Sequence, residues 1–399
     1  MTTPQAANQA TADAANLLLR IGLFVAFVVV PLALLVSPRS IFILSPIAGA
    51  LVFAGGLVLS PRMRMNEIFA FLFSRIGLAG VFIGLWCLIS LLWTPFPAEA
   101  GPRLLKLVST FLAVLPVAAA LPARSKAANL YLLPLGVAAA AFGAIFAILS
   151  LSAQSEEIGD NENLIRATEM MLLLLWPALA AATLRNRLTL AAALGIVVLA
   201  VAVTIRLPAA LGATGIAALA YALALADQKT TGRWIGVLGA VSFLFAPALP
   251  LLLGPFFDLD AIAPLAGLKV WHNVLIGDGV RILTGHGFSY VASGGFHSYL
   301  PPLAPQSMLF EVWTDLGIVG AAGTAALVYL CYEAAAAQSP RVAPYWIGGL
   351  TYVTALGVFG GATVQLWWIT ALALSLAGYA VAMRGDYKTD RPTAPKRVV

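Results

Sequence analysis

In the stretch "SYLPPLAPQSMLFEVWTDLGIVGA" (298–321), Ser307, Glu311 and Asp315 recur every four residues within an apolar run. A helix would set all three along one face. A carboxylate so placed can take a proton from a hydroxyl nucleophile. The helix dipole alone accounts for Glu311, which lies near the N-terminus where negative charge is favoured. Asp315 lies about two turns in, where the dipole has weakened, and needs a partner such as Arg206 or a buried polar group.

Cations are the second chemical resource. Arg103, Lys106, Arg166, Arg206, Lys269 and Arg281 fall away from the main basic clusters, on what topology makes the opposite flank. Guanidinium groups match phosphate oxygens with two-pronged hydrogen bonds. Such residues therefore hold an anionic lipid head group, snorkel to lipid phosphate or pair with a nearby acid. The third resource is segment 254–306, which contains all three histidines, His272, His286 and His297. Its Gly285-His286-Gly287 lets backbone approach a ligand closely, or is a plain surface turn. Asp258-Leu259-Asp260 is the D-x-D pair with which glycosyltransferases hold a divalent ion, and equally an ordinary solvated loop. No H-E-x-x-H, Cys/His cluster or P-loop occurs, so neither metal nor other cofactor is expected.

The elements that position these groups are membrane helices. The 399 residues are 61% hydrophobic and 10% charged, with a mean hydropathy of +0.94. A soluble domain of this size cannot hide so much apolar surface. Apolar runs of about 18 residues or more recur along the chain, each able to cross roughly 30 Å of hydrocarbon. Alternating segments, the mark of a β-barrel, are absent from the pattern. The expected fold is all-α and polytopic, with twelve spans at about 17–36, 41–60, 68–92, 104–121, 129–151, 165–184, 188–205, 209–226, 234–253, 307–334, 342–361 and 364–383. Residues 1–16 and 384–399 are the expected tails, and 17–383 the membrane domain. More than half of the 23 basic residues fall in alternate connections and the C-tail, among them Arg62, Arg64, Arg185, Arg187, Lys229 and Arg233. Retention of Lys and Arg on the cytoplasmic side puts both termini inside. That placement explains the net charge of +6 without a nucleic-acid partner. Cys87 and Cys331 both fall inside spans, so a disulfide framework is not expected. Segment 254–306, the longest connection, then faces outward, and a helix around 262–276 is expected to lie at the membrane surface there or to cap a cavity.

Four passages resemble the O-antigen ligase and O-antigen polymerase superfamily of membrane glycosyltransferases. "LISLLWTPFPAEAGPRLLKL" (88–107) is similar to the family's Trp-ended third span and short outer loop. "VTIRLPAALGATGIAAL" (203–219) is similar to its T-x-S-R passage, with Arg206 at the arginine and Ile205 at the serine. "LKVWHNVLIGDGVRILTGHGFS" (268–289) matches at Trp271, Gly285 and Gly287; Gly267 stands at the arginine position, with Lys269 the nearest base. "PQSMLFEVWTDLGIVG" matches at Trp313, Asp315, Gly317 and Gly320, but Gln306 occupies the histidine position and Ser307 the asparagine position.

The resemblance implies a GT-C-like fold in the bacterial inner membrane, with a large periplasmic loop between the ninth and tenth helices. It implies transfer of a glycan from undecaprenyl pyrophosphate to a hydroxyl acceptor, such as lipid A core, polysaccharide or protein, among membrane lipids. Carried over, Arg206 binds the pyrophosphate, with Lys269, Arg281 and Arg103 as further candidates. Glutamine accepts no proton near neutral pH, so Gln306 can only orient the hydroxyl. The base is then His297, Glu311 or Asp315, or the chain is a non-catalytic subunit of an assembly complex. A flippase for lipid-linked sugars would need ionisable residues near the bilayer midplane, and the sequence offers few beyond Glu169 and Glu333.

Overall fold

The computed structural model describes residues 4–59, 61–121, 127–153, 161–248, 252, 271, 279–295, 297–301, 304–305, 307–360 and 365–385. Among them every regular element is a helix. Helix α1 runs Pro4–Phe24 and continues through a π-helical turn, Val25–Val29, into Val30–Leu34. It is followed by α2 (Ser40–Leu59), α3 (Pro61–Leu72), α4 (Arg75–Ser90), α5 (Pro97–Ala120), α6 (Leu132–Ala153), α7 (Glu162–Leu184), α8 (Leu188–Ile205), α9 (Pro208–Ala226) and α10 (Gln228–Phe245). Two short helices, α11 (Arg281–Thr284) and α12 (Tyr290–Gly294), precede α13 (Met308–Ala336), α14 (Ala343–Phe359) and α15 (Leu366–Gly385).

Eight of these helices are long and apolar enough to cross a membrane, or up to nine if the bent α3–α4 pair is one span. That is fewer than the twelve expected from sequence. Helix α14 has 17 residues, and α5 and α10 carry charges in their first turns. Helix α1 also reaches back to Pro4, well into the expected tail. Its "PQAANQATADAAN" is polar but rich in alanine, the best helix former. The expected span at 68–92 is broken instead: α3 and α4 meet at 68°. Ser74 makes the break, its hydroxyl accepting from the Gly77 amide to cap α4 and donating to the Phe71 carbonyl.

Helix α7 is the centre of the main core. Its span is 83% buried, and it packs against α6, α8, α14 and α15. A second core joins α10 to α13, where the buried Trp313 Nε1 donates to the Phe243 carbonyl. Local chemistry sets the helix starts. Asn161 caps α7, Asp227 caps α10 and Ser307 caps α13, each side chain accepting a backbone amide of the first turn. Helices α5 and α9 begin with proline and α14 carries one at its second residue, where the missing N–H costs nothing. Most of segment 254–306 lies outside the described residues, including the expected helix at 262–276 apart from Trp271. Asp258, Asp260 and Lys269 also lie outside them, as does Gln306.

Candidate functional site

The site is built where α13 breaks. Gly317 has φ 64° and ψ −162°, a region open essentially to glycine alone. The helix hydrogen bonds around it cannot form, and the carbonyls just before it turn to other donors. Thr314 O accepts from the His286 amide at 2.8 Å, Asp315 O from the Gly287 amide at 2.9 Å, and Leu316 O from Trp86 Nε1 at 2.9 Å. Segment 285–288 is thus sewn to the interrupted helix by backbone. Gly285, at φ 69° and ψ 179°, needs the same permissive region. A β-carbon on Gly285 would strike the Asp315 carbonyl, and one on Gly317 would lie 2.5 Å from the Leu283 carbonyl. The Gly-His-Gly of the sequence is therefore neither a surface turn nor a ligand strand; it is a buried seam between two backbones.

That seam delivers Asp315 to its partners. The Asp315 carboxylate accepts from the Ser289 amide (Oδ2, 2.8 Å) and the Val291 amide (Oδ1, 2.8 Å) at the start of α12, and is 1% exposed. Of the two partners expected from sequence, Arg206 or a buried polar group, the second is found. Carboxylate–amide bonds at a helix start satisfy a buried acid without a cation. Glu311, one turn earlier, pairs with Arg103 of α5 at 2.8 Å. The two side chains are 13% and 16% exposed, Arg103 and Glu311 respectively. Glu311 is thus more than an acid favoured by a dipole. Arg103 also donates to Ser289 Oγ at 3.2 Å and lies 5.9 Å from the centre of the Phe288 ring. The α4–α5 turn closes this side: Ser90 Oγ accepts from the Phe288 amide, and Thr94 Oγ1 donates to the Phe288 carbonyl.

From Ser289 the polar chain leads to the surface. Ser289 Oγ contacts Ser293 Oγ at 3.3 Å, Ser293 hydrogen-bonds Glu99, and Glu99 Oε1 meets His297 Nε2 at 2.8 Å. His297 and Glu99 are each 48% exposed. Hydrogen bonds from Ser293 and then His297 hold the Glu99 carboxyl below its ordinary pKa. Phe96 stacks on the His297 ring at 5.1 Å and meets Tyr299 edge-on at 5.1 Å. Tyr290, stacked on His286 at 4.5 Å, completes this aromatic ledge. Burial, then the nearby Asp315 charge, pushes the Tyr290 hydroxyl up in pKa.

The structure thus brings together Arg103, Glu311, Asp315 and His297, and sets Arg281 close by on α11, where its guanidinium donates to the Gly285 carbonyl at 3.4 Å. It does not join Arg206 to them. Arg206 caps α8 in a left-handed conformation (φ 62°, ψ 56°), exposed, with no side-chain hydrogen bond or ion pair among the described residues. Lys269 and Gln306 lie outside the described residues. Glu99, Ser289 and Ser293 were not singled out from sequence. The spacing of Glu99 and Arg103, four apart in the first turns of a helix, was the available signal. Among the described residues no group of three His, Cys, Asp or Glu side chains is placed to hold a metal. Comparison with family models, curated proteins and solved structures finds no match to this chain.

Proposed function

We propose that this chain is a membrane glycosyltransferase of the O-antigen ligase or polymerase type, moving a glycan from undecaprenyl pyrophosphate to a hydroxyl acceptor at the periplasmic face of a bacterial inner membrane. The observation that carries the reading is the chain of polar contacts from the half-buried Arg103 and Glu311 and the buried Asp315 to the exposed Glu99 and His297 beneath an aromatic ledge. Aromatic faces and carboxylates suit the apolar faces and hydroxyls of a sugar. Beside them an almost wholly apolar groove of about 530 Å³, lined by Ala79, Phe82, Ile318, Ala322 and Gly323, runs between α4 and α13 from just below the Gly317 break. It suits an isoprenoid tail.

In this reading the diphosphate meets the cations of Arg281 and Arg103, and the acceptor sits over His297. The acceptor oxygen attacks the anomeric carbon, its proton passes to a base, and the sugar–oxygen bond to the diphosphate breaks. The leaving group is already a good one, so orientation and charge stabilisation are the protein's main contributions. No nucleotide sugar is needed, because the donor arrives lipid-linked.

Twelve crossings, with both termini cytoplasmic, belong to the same reading. Contacts between connections support it. Asn163 at the start of α7 donates to the Val36 carbonyl of the α1–α2 turn, and Thr94 reaches Phe288. Gln228 binds carbonyls at the end of α13, and Arg384 pairs with Glu67. A strict alternation of twelve helices puts the two partners of each contact on one side.

The test uses Arg281→Ala and His297→Ala, two side chains that the fold does not bury. At normal protein levels each is expected to abolish transfer in a cell-surface glycan profile, with unligated lipid-linked donor accumulating in the periplasm. An unchanged profile for both overturns the reading. One observation favours a second reading, a non-catalytic partner in a polysaccharide assembly complex. Glu311 and Ser289 already engage Arg103, and glutamine stands at the family's histidine position.

A further inference from the structure

We propose that Glu99 is a positioning residue for the transfer reaction: it holds the His297 imidazole in the tautomer whose Nδ1 takes the proton of the acceptor hydroxyl. The inference rests on the glycosyltransferase reading and names how its proton is moved.

The argument starts from the 2.8 Å contact between His297 Nε2 and Glu99 Oε1. An ionised carboxylate only accepts hydrogen bonds, so Nε2 must carry the hydrogen. In the neutral ring this leaves the lone pair on Nδ1, which has no partner among the described residues. The ring's plane is fixed separately. Phe96 stacks on it at 5.1 Å with an interplanar angle of 13°, and the His297 amide donates to the Ser293 carbonyl. Glu99 is itself held by Ser293. Base, orienting acid and the third group that fixes the acid form the arrangement by which an imidazole is aimed at a hydroxyl.

The pair also sits where a base is needed. Glu99 and Arg103 are one turn apart on α5, so their β-carbons are about 6 Å apart on one face. The same helix therefore offers a cation for the diphosphate and, through Glu99, an oriented base for the acceptor. Both His297 and Glu99 are half exposed, leaving room for an acceptor. In the step itself the acceptor O–H proton moves to Nδ1 as the oxygen bonds to the anomeric carbon. The C–O bond to the diphosphate breaks with its electron pair on the departing oxygen, and the imidazolium then releases its proton to water. The titratable or charged groups around the pair are Arg103 on α5, Tyr290 on α12, Tyr299 on its own segment, and Glu311 and Asp315 on α13.

Two measurements on the full chain in lipid nanodiscs test this. The first is transfer, using the undecaprenyl-diphosphate glycan extract of the source cells as donor and lipid A core as acceptor. Glu99→Gln is expected to lower kcat on the order of 10²-fold, to leave KM for donor unchanged and to move the acid limb of the pH profile; Glu99→Asp is expected to recover part of the rate. The second is the 15N spectrum of histidine-labelled protein. With three histidines in the chain, His297→Asn assigns the resonance. An Nε2–H tautomer that becomes mixed in Glu99→Gln is expected. Wild-type protein that transfers nothing overturns the glycosyltransferase reading and, with it, the role in transfer. Full kcat and an unmoved pH profile in Glu99→Gln, with active wild type, overturn the positioning role alone. An Nδ1–H tautomer in the wild type overturns the inference independently of any turnover.

Discussion

Asp315 holds the site together through two bonds that only a carboxylate makes at once, since both Oδ atoms accept from amides. Asp315→Asn turns one of those oxygens into a donor facing a donor. The expected cost is about 1–3 kcal/mol, read as a lower thermal midpoint in detergent, with Asp315→Ala costing more. The Glu99–His297 contact gives a pH signature of its own. Folding lowers the Glu99 carboxyl's pKa, so the folded state favours the ionised form. Its contribution is complete above the ordinary carboxylate range and is lost as pH falls through the lowered value. The pair's contribution to stability should therefore hold at neutral pH and fall in acid, read as a thermal midpoint that drops less on acidification in Glu99→Gln than in the wild type. Arg206 tests a separate idea. Glycine adopts its left-handed backbone without strain, whereas an L-residue there costs about 1–2 kcal/mol. Arg206→Gly should therefore raise the thermal midpoint slightly. If it also removes surface glycan, the guanidinium binds an anion; if glycan is unchanged, the residue serves only as a cap. Glu311 and Asp315 were legible in the sequence because a charge inside an apolar run is conspicuous. Glu99 was not, because it sits in a polar turn among other ordinary loop residues, and its partner His297 lies 198 residues away. No local pattern reports a contact of that separation.

At the scale of elements, the decisive feature is that α13 is one helix in sequence and two in space. The hydrophobic pattern from 307 onward reads as a single span, and the expectation of one helix from 307 to 334 agrees with the limits of α13. What the pattern hides is Gly317. A glycine in a membrane helix is commonplace, and nothing local marks this one as the residue with φ 64° and ψ −162°. The meaning comes from Gly285 on the other strand of the seam, whose own backbone requires the same region. Each glycine leaves space for the other's neighbours. Replacing either with alanine costs about 1–3 kcal/mol in backbone strain alone, and the new β-carbon adds a clash with backbone that cannot swing aside. Gly317→Ala and Gly285→Ala should each undock segment 279–294 from α13. Trypsin cleavage at Arg281 in the folded protein is the readout. Faster cleavage in both variants, with the α10–α13 contact at Trp313 unchanged in its fluorescence, is expected. Cleavage as slow as in the wild type would mean that the seam does not hold the segment.

At the scale of the whole molecule, composition and charge placement announce a polytopic helical protein, and the eight long apolar helices agree. The number of crossings is harder to read, because α5, α10 and α14 are short, or polar at their first turn, and lie among longer neighbours. A short helix, or one with charge at its start, offers a shorter apolar window, so hydropathy alone undercounts such elements. The side contacts supply the missing constraint. If α10 did not cross, Gln228 and the end of α13 would emerge on opposite sides, yet Gln228 donates to the Ala336 and Gln338 carbonyls. The reading predicts which positions a membrane-impermeant maleimide reaches in intact cells. In a chain with Cys87 and Cys331 replaced by alanine, Pro95→Cys and Gly295→Cys, both exposed, should label from outside. Asp227→Cys and Pro340→Cys, also exposed, should label only after the inner membrane is opened. Labelling of Pro340→Cys in intact cells would place the two ends of α13 on the same side. The Arg103, Glu311 and Asp315 cluster would then have no fixed relation to the periplasm, and a reaction on a periplasmic lipid-linked donor would lose its site.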